Sequence, residues 1–309
     1  MNAFFAAMKF KRYSGRIQWN CMAVLCLLCH LGFAQYAGAD STQMLNLVMG
    51  IQQESGTFYN AEGYTVFLVQ HDDPFDEKGI RKIKKKYKLD ETIEELPDPS
   101  LPHCRVFSTT RKRSTNVLET GVYYLFPDGN ATRVVGMQTT VQRDRSYEIW
   151  CVGMTIKQLF PSFVYTPMQI DSFNFAGRQL VLGGLCNWRS TRNVQCADYG
   201  QMNWSEFRSE ERALEMVRNQ YEVTSERTLG KVLSADSVDV TFEGQPLKVL
   251  RVLYKVKLPA AVTGGSNLLV IYYVAAEVRQ RFVGCVLSQY TDLNHQNELA
   301  PLLKEVMQR

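Results

Sequence analysis

Histidine is scarce in this chain of 309 residues. There are four, and one of them, His30, falls in the apolar run near the N-terminus. His71, His103 and His295 are far apart in sequence, no CxxC pair occurs, and no zinc-ligand set can be assembled by spacing. The fingerprints of familiar enzymes (GxSxG, HExxH, the P-loop and the dinucleotide-binding glycines) are also missing. A sustained charge of one sign is lacking too. Lys9, Lys11, Arg12 and Arg16 are the basic residues of positions 1–34, which hold no acid. Removing those four from 35 leaves 31 basic residues against 31 acidic ones. A balanced body excludes a dominant nucleic-acid field. After the N-terminal region no apolar run approaches membrane-spanning length.

What is present begins at that N-terminus. The four cations precede an apolar run from Cys21 to Cys29, and Gly32-Phe33-Ala34 offers small residues at an exit. This is the pattern of a secretory signal peptide over residues 1–34, with cleavage expected near Ala34. The mature chain is then secreted or periplasmic and has no transmembrane segment. Leu28 before Cys29 and Leu25 before Cys26 argue against lipidation. Export leaves Cys104, Cys151, Cys186, Cys196 and Cys285 in an oxidising compartment. Cys186 and Cys196, ten residues apart, are the expected disulfide, and the odd count leaves at least one thiol outside any internal pair.

Beyond the leader a hairpin-like stretch occurs twice. Val122-Tyr123-Tyr124 with Arg133-Val134-Val135-Gly136-Met137 is echoed by Ile271-Tyr272-Tyr273 with Arg281-Phe282-Val283-Gly284-Cys285. Around it the pattern predicts a short helix over 44–51, a strand over 58–70 and a basic helix over 77–89. Strands near 104–109, 118–126 and 132–140 and a helix over 147–160 complete the first half. The second half reads as a strand over 173–182, a helix over 205–223, strands over 247–257, 267–277 and 281–289, and a last helix carrying Leu299, Leu302, Leu303 and Val306. Counterparts lie 115 positions apart at Phe58 and Phe173 and 134 at Ile80 and Leu214. They lie 146 apart at Arg105 and Arg251, 149 at Tyr124 and Tyr273, and 147 at Lys157 and Lys304. The expected fold is α+β: two tandem, duplicated β-α-β-β-β-α domains over 35–165 and 166–309, antiparallel sheets with packed helices. That order is similar to the PsbP/Mog1 kind of sandwich, a fold-level likeness that covers no functional motif and implies no activity.

The change in offset from 115 to 134 marks about 19 added residues in the second half, a Cys-bounded loop insertion over 183–204. Inserted loops are where binding residues sit. Trp188, Arg189, Arg192, Tyr199 and Trp204 are therefore the candidate ligand-binding residues, since Trp and Arg combine large area with directed hydrogen bonds. The plainer reading folds Trp188 and Trp204 back onto the domain.

Lys78, Arg81, Lys82, Lys84, Lys85, Lys86 and Lys88 form a dense basic run. It reads as a solvated helix face neutralised by Asp90, Glu91, Glu94 and Glu95. His71-Asp72-Asp73 reads as a strand end leading into a helix start, and Cys104 and Cys285 as small core residues. No catalytic residue, metal ligand or cofactor site is expected. The sequence favours a non-catalytic binding or cell-envelope component acting through surface loops, with an envelope protein or glycan as partner and no nucleic acid. The alternative is an envelope hydrolase or transferase with a site in the groove between the domains, which would gather Asp, Glu or His from both halves. A third possibility is a scaffold that pairs through its sheet edges or helices.

Overall fold

A reversal at Glu62-Gly63 decides how the first sheet begins. The computed structural model describes residues 39–89, 92–182, 185–197, 200–226, 230–257, 266–292, 294–295 and 297–309. Glu62 (φ 50°) and Gly63 (φ 80°) are both left-handed, the geometry of a tight two-residue hairpin turn. The span 58–70, expected as one strand, is thereby two: β2 (Gly56–Ala61) and β3 (Tyr64–His71). Ahead of them, helix α1 (Ala39–Asn46) stops early, and β1 (Val48–Gln53) takes the second half of the expected 44–51 helix. Val48, Met49 and Ile51 are buried there, and β1 pairs antiparallel with β2 from Val48↔Ala61 to Gln53↔Gly56. Sheet pairing outweighs a weak helical period.

Helix α2 (Glu77–Tyr87) starts where Asp76 accepts a hydrogen bond from Gly79 N (2.7 Å) and stops at left-handed Lys88 (φ 55°). Strands β4 (Ile93–Glu95), β5 (Arg105–Lys112), β6 (Leu118–Asp128) and β7 (Ala131–Thr139) follow, then α3 (Arg145–Ile156). The sheet order is β1-β2-β3-β7-β6-β5-β4. Ile80 and Ile83 of α2 pack on Phe107, Tyr123, Leu125 and Val134. On the opposite face Tyr64 stacks on Tyr147 of α3 (6.2 Å) and donates to Glu148 (3.0 Å).

The second sheet is preceded by a separate hairpin, β8 (Ser172–Phe175) and β9 (Arg178–Val181), where one strand was expected. The Cys-bounded segment is not a loop. It forms β10 (Cys186–Ser190) and β11 (Asn193–Cys196), which lead into β12 (Gly200–Phe207). Helix α4 (Glu210–Glu226) begins five residues after the expected Ser205, because 205–207 still belong to β12. Then come β13 (Gly230–Phe242), a strand with no counterpart in the sequence reading, β14 (Gln245–Val256), β15 (Leu268–Val278) and β16 (Arg281–Thr291). A short helix α5 (Pro301–Lys304) and β17 (Met307–Gln308) finish the chain. The order is β10-β11-β12-β16-β15-β14-β13-β17. Val217 and Tyr221 of α4 cover one face at Ile271 and Tyr273. The β8–β9 hairpin and α5 cover the other, around Phe173, Phe175, Trp204, Leu302 and Leu303.

The architecture is thus α+β with antiparallel sheets. In each half a three-stranded meander runs into a helix, and a four-stranded meander returns to pair its last strand with the third. This is β-β-β-α-β-β-β-β-α rather than the expected β-α-β-β-β-α. The repeated hairpin also needs a new register. Asp128↔Ala131 closes one turn and Val278↔Arg281 the other, an offset of 150. Tyr123, facing α2, therefore corresponds to Tyr273, facing α4. The 149 offset of the sequence echo would match residues on opposite faces, since strand side chains alternate.

Both sheets lie within one unit, Asn46–Arg309. Their seam is mixed: Val141 packs with Phe207, Ala213 and Met216, and polar pairs lie beside it. Glu62 is fully buried and receives Arg208 Nε at 2.9 and 3.0 Å, while Arg208 Nη2 reaches Asp144 at 2.5 Å. Asn60 Nδ2 donates to Ser205 Oγ (3.0 Å). These pairs tie the β2–β3 turn to the entry of α4.

Candidate ligand cleft between the two sheets

The disulfide expected from spacing is formed between Cys186 and Cys196, directly opposed residues of β10 and β11. It pins the base of a hairpin whose far end carries the candidate residues. Between Trp188↔Val194 and Ser190↔Asn193 the register shifts, leaving Arg189 as the extra residue of a bulge. Bulges re-aim a side chain, and here Arg189 lines a cleft of about 320 Å³ with Trp188, Ser190 and Thr191. The facing wall comes from the first sheet: Ile51 and Gln53 of β1, Phe58 and Tyr59 of β2, and Thr65 of β3.

The walls are held from behind. Trp188 donates its indole N–H to Pro167 O (3.2 Å) and meets Phe173 edge-on at 6.0 Å. Tyr59 packs 5.1 Å from Phe160, and its hydroxyl lies 3.3 Å from that of Tyr165. Burial, and then the neighbouring Tyr165, push the Tyr59 phenol well above its ordinary range. Among the described residues lining the cleft, Arg189 is the charged group. The remainder offer aromatic, aliphatic, amide and hydroxyl surface.

The five candidate residues separate. Trp188 and Arg189 reach the cleft. Trp204 is in the core, 4.8 Å from Phe173. Arg192 is buried and pairs with Glu206 (3.1 Å), which Arg281 also engages at 2.6 Å. Tyr199 lies outside the described residues, as do the expected signal peptide and Gly183-Gly184. Ile51, Phe58, Tyr59 and Thr65 were missed.

A wider groove of about 730 Å³ lies in the second sheet, lined among others by Gln201, Ser288, Gln289, Asp292, His295 and Glu298. His295 Nδ1 is 2.8 Å from Asp292, whose Oδ1 also accepts from the backbone of Asn294 and His295. The pair closes an exposed turn, and its carboxylate is occupied by that turn. No group of three or more metal-ligating side chains occurs among the described residues. Cys104, Cys151 and Cys285 are buried and unpaired. Burial raises the first two thiols to about 11 and about 12, which suits inert core residues rather than nucleophiles.

His71 closes β3 as expected, though the helix cap falls to Asp76. With Nδ1 accepting from Lys86 (3.3 Å), the ring proton sits on Nε2 and is donated to Tyr87 (2.8 Å). Of the four acids expected to neutralise the basic run, two are among the described residues, and Glu94 is within the field of Lys84. Glu94 pairs with Arg105, Glu95 pairs with Arg143 and Arg145, and Asp90 and Glu91 lie outside the described residues.

No family model matches this chain, and no curated protein matches it. Among solved structures it is similar to the di-domain ARO/CYC BexL from the BE-7585A biosynthetic pathway. The identity is 11% and the TM-score 0.18, over 75% of this chain and 86% of that one. No helix among the described residues is long and apolar enough to cross a membrane.

Proposed function

We propose that this protein is an exported, non-catalytic binding component of the cell envelope that holds an acidic sugar, or the end of an anionic glycan, in the cleft between its sheets. The observation that carries the reading is the bulge at Arg189, which puts a lone guanidinium among Trp188, Phe58, Gln53 and Thr65. Aromatic rings pack against the C–H faces of a sugar, amides and hydroxyls suit its hydroxyl groups, and a guanidinium takes a carboxylate in a forked pair. About 320 Å³ is at the small end of ligand sites, which span roughly 300–1,000 Å³. The signal-like leader and the cross-strand disulfide agree with an oxidising compartment.

The alternative, a hydrolase or transferase working in the same groove, asks for carboxylates or imidazoles from both walls. The described residues lining the cleft supply neither. The same reading takes the two halves as products of a duplication. Their matching strand orders support this, with the β10–β11 hairpin standing where β1–β2 stands in the first half. The Cys-bounded segment is then a modified copy of an original hairpin.

The test is titration with glucuronate and with a glucuronate-terminated oligosaccharide, followed by Trp fluorescence and calorimetry, with glucose as the neutral control. Saturable binding of the acid, lost in Arg189→Gln and in Trp188→Ala, is expected. Equal response to glucose, or binding unchanged in both variants, would overturn the assignment.

A further inference from the structure

Helix α2 has a solvent face made almost wholly of cations, and several of them make no ion pair among the described residues. Lys78, Arg81, Lys82 and Lys85 fall at i, i+3, i+4 and i+7, one stripe of a helix, opposite the buried Ile80 and Ile83. Lys88 continues the stripe past the helix end. Lys82 pairs with Asp73 (2.9 Å), and Lys84 lies over the Phe107 ring at 4.7 Å. Lys78, Arg81, Lys85 and Lys88 are exposed and make no ion pair among the described residues. Apart from Asp73 on Lys82, the described acids close by in sequence are engaged or gathered elsewhere. Asp76 caps the helix, Glu77 and Glu94 hold Arg105, and Glu95 holds Arg143 and Arg145. Exposed Asp72 stays at the opposite end, before the helix N-terminus.

Helix-dipole stabilisation accounts for Lys84, Lys85 and Lys86 in the last turn, but not for Lys78 and Arg81. At the C-terminal end Thr92 Oγ1 donates to Leu89 O (3.0 Å). The chain therefore resumes beside Lys88, and Ile93 and then Leu96 follow at 74% and 87% exposure. A rigid cationic stripe ending beside bare aliphatic side chains matches a lipid surface, with anionic headgroups for the cations and the acyl boundary for Ile93 and Leu96. A single-stranded nucleic acid would want stacking rings among the cations. The aromatic rings of this helix region, Tyr87 and Phe75, are packed on Phe67 and His103.

We propose that α2 docks this protein peripherally on an anionic phospholipid surface. Each cation near such a surface strengthens binding roughly five-fold, and four together act well beyond a single exposed charge. The test is co-sedimentation of residues 35–309 with vesicles of phosphatidylcholine alone or mixed with phosphatidylglycerol, at low and high salt. Binding only to the mixed vesicles, weakened by salt, is expected. It should fall at least ten-fold when Lys78, Arg81, Lys85 and Lys88 are all changed to Gln. A control changing Lys231, Lys248, Lys255 and Lys304 to Gln should retain it, with circular dichroism confirming that both variants fold. The proposal is overturned by equal binding to both vesicle types, by equal loss in both variants, or by retention on duplex DNA with none on vesicles.

Discussion

Arg208 Nε sits 2.9 and 3.0 Å from the two carboxylate oxygens of Glu62, a residue with no exposed surface. One belongs to the tight turn of the first sheet, the other to the entry of the second sheet's helix. Removing one member of a buried pair strands the other, at about 3–5 kcal/mol. Arg208→Ala leaves Glu62 with the backbone N–H of residue 208 (3.2 Å) and a longer contact to Arg212 (3.6 Å), and should reach the lower end of that range in urea unfolding. Glu62→Ala should cost less, about 3 kcal/mol or under, because Arg208 is about a third exposed and can turn to water. Equal, sub-kcal losses would mean that the pair contributes little to joining the sheets.

Opening the disulfide should act on both stability and the cleft. Closing a loop of about ten residues contributes about 3 kcal/mol by chain entropy. The Cys186→Ser, Cys196→Ser double variant should lose close to that. It should also weaken sugar binding, because Trp188 and Arg189 ride on the unpinned hairpin. Calorimetry on reduced and oxidised protein checks both.

Acid should loosen the β4 edge. Burial raises the affinity of Glu95 for a proton, but hydrogen bonds from Arg143, Ser108 and Arg145 more than offset it and hold the carboxyl at about 2. A depressed carboxylate stabilises the fold fully above its ordinary value near 4.5. That contribution is lost as pH falls from there through about 2. Glu95→Gln should flatten this part of the stability curve, read as melting temperature against pH.

His71 should titrate below its ordinary range, held neutral first by burial and then by Lys86. The unfolded chain takes up the proton more readily, so stability is complete above the ordinary value of 6.5 and declines as pH falls below it. Proton NMR of the imidazole gives the folded value directly, and a normal or raised midpoint would contradict the Lys86 contact.

Gly136 should not accept a methyl group. A Cβ there would lie 2.1 Å from the Phe67 ring, and Phe67 stacks on Tyr87 of α2. Gly136→Ala should cost about 1–3 kcal/mol or more, as overpacking does, measured by denaturant midpoint. Gly284 is tight for a different reason: its Cβ would meet Met216 and Ala213 of α4.

Several elements were legible because local chemistry agrees with the fold. The Ile80–Ile83 spacing defines α2, although the sequence places its cap too early, before Asp76, and ten-residue spacing finds the disulfide. Others were hidden by tertiary pairing. β1 carries a weak helical period and becomes a strand only against β2. β13 alternates too faintly to declare itself, since most of it is exposed. The site was half legible. Trp188 and Arg189 stood out by residue type, but Arg192 and Trp204 share that chemistry and turn inward. Nothing local in Phe58 or Ile51 says that they face another sheet.

The ion pair at the seam also imposes a schedule. The first sheet has all its strands once Thr139 has been made, yet the counter-charge for Glu62 is still about 70 residues away. At roughly 5–20 residues per second, that carboxylate waits several seconds beside the ribosome before Arg208 emerges. During synthesis the first half passes through an interval in which the Glu62 carboxylate lacks its Arg208 partner. A chaperone has that interval in which to act.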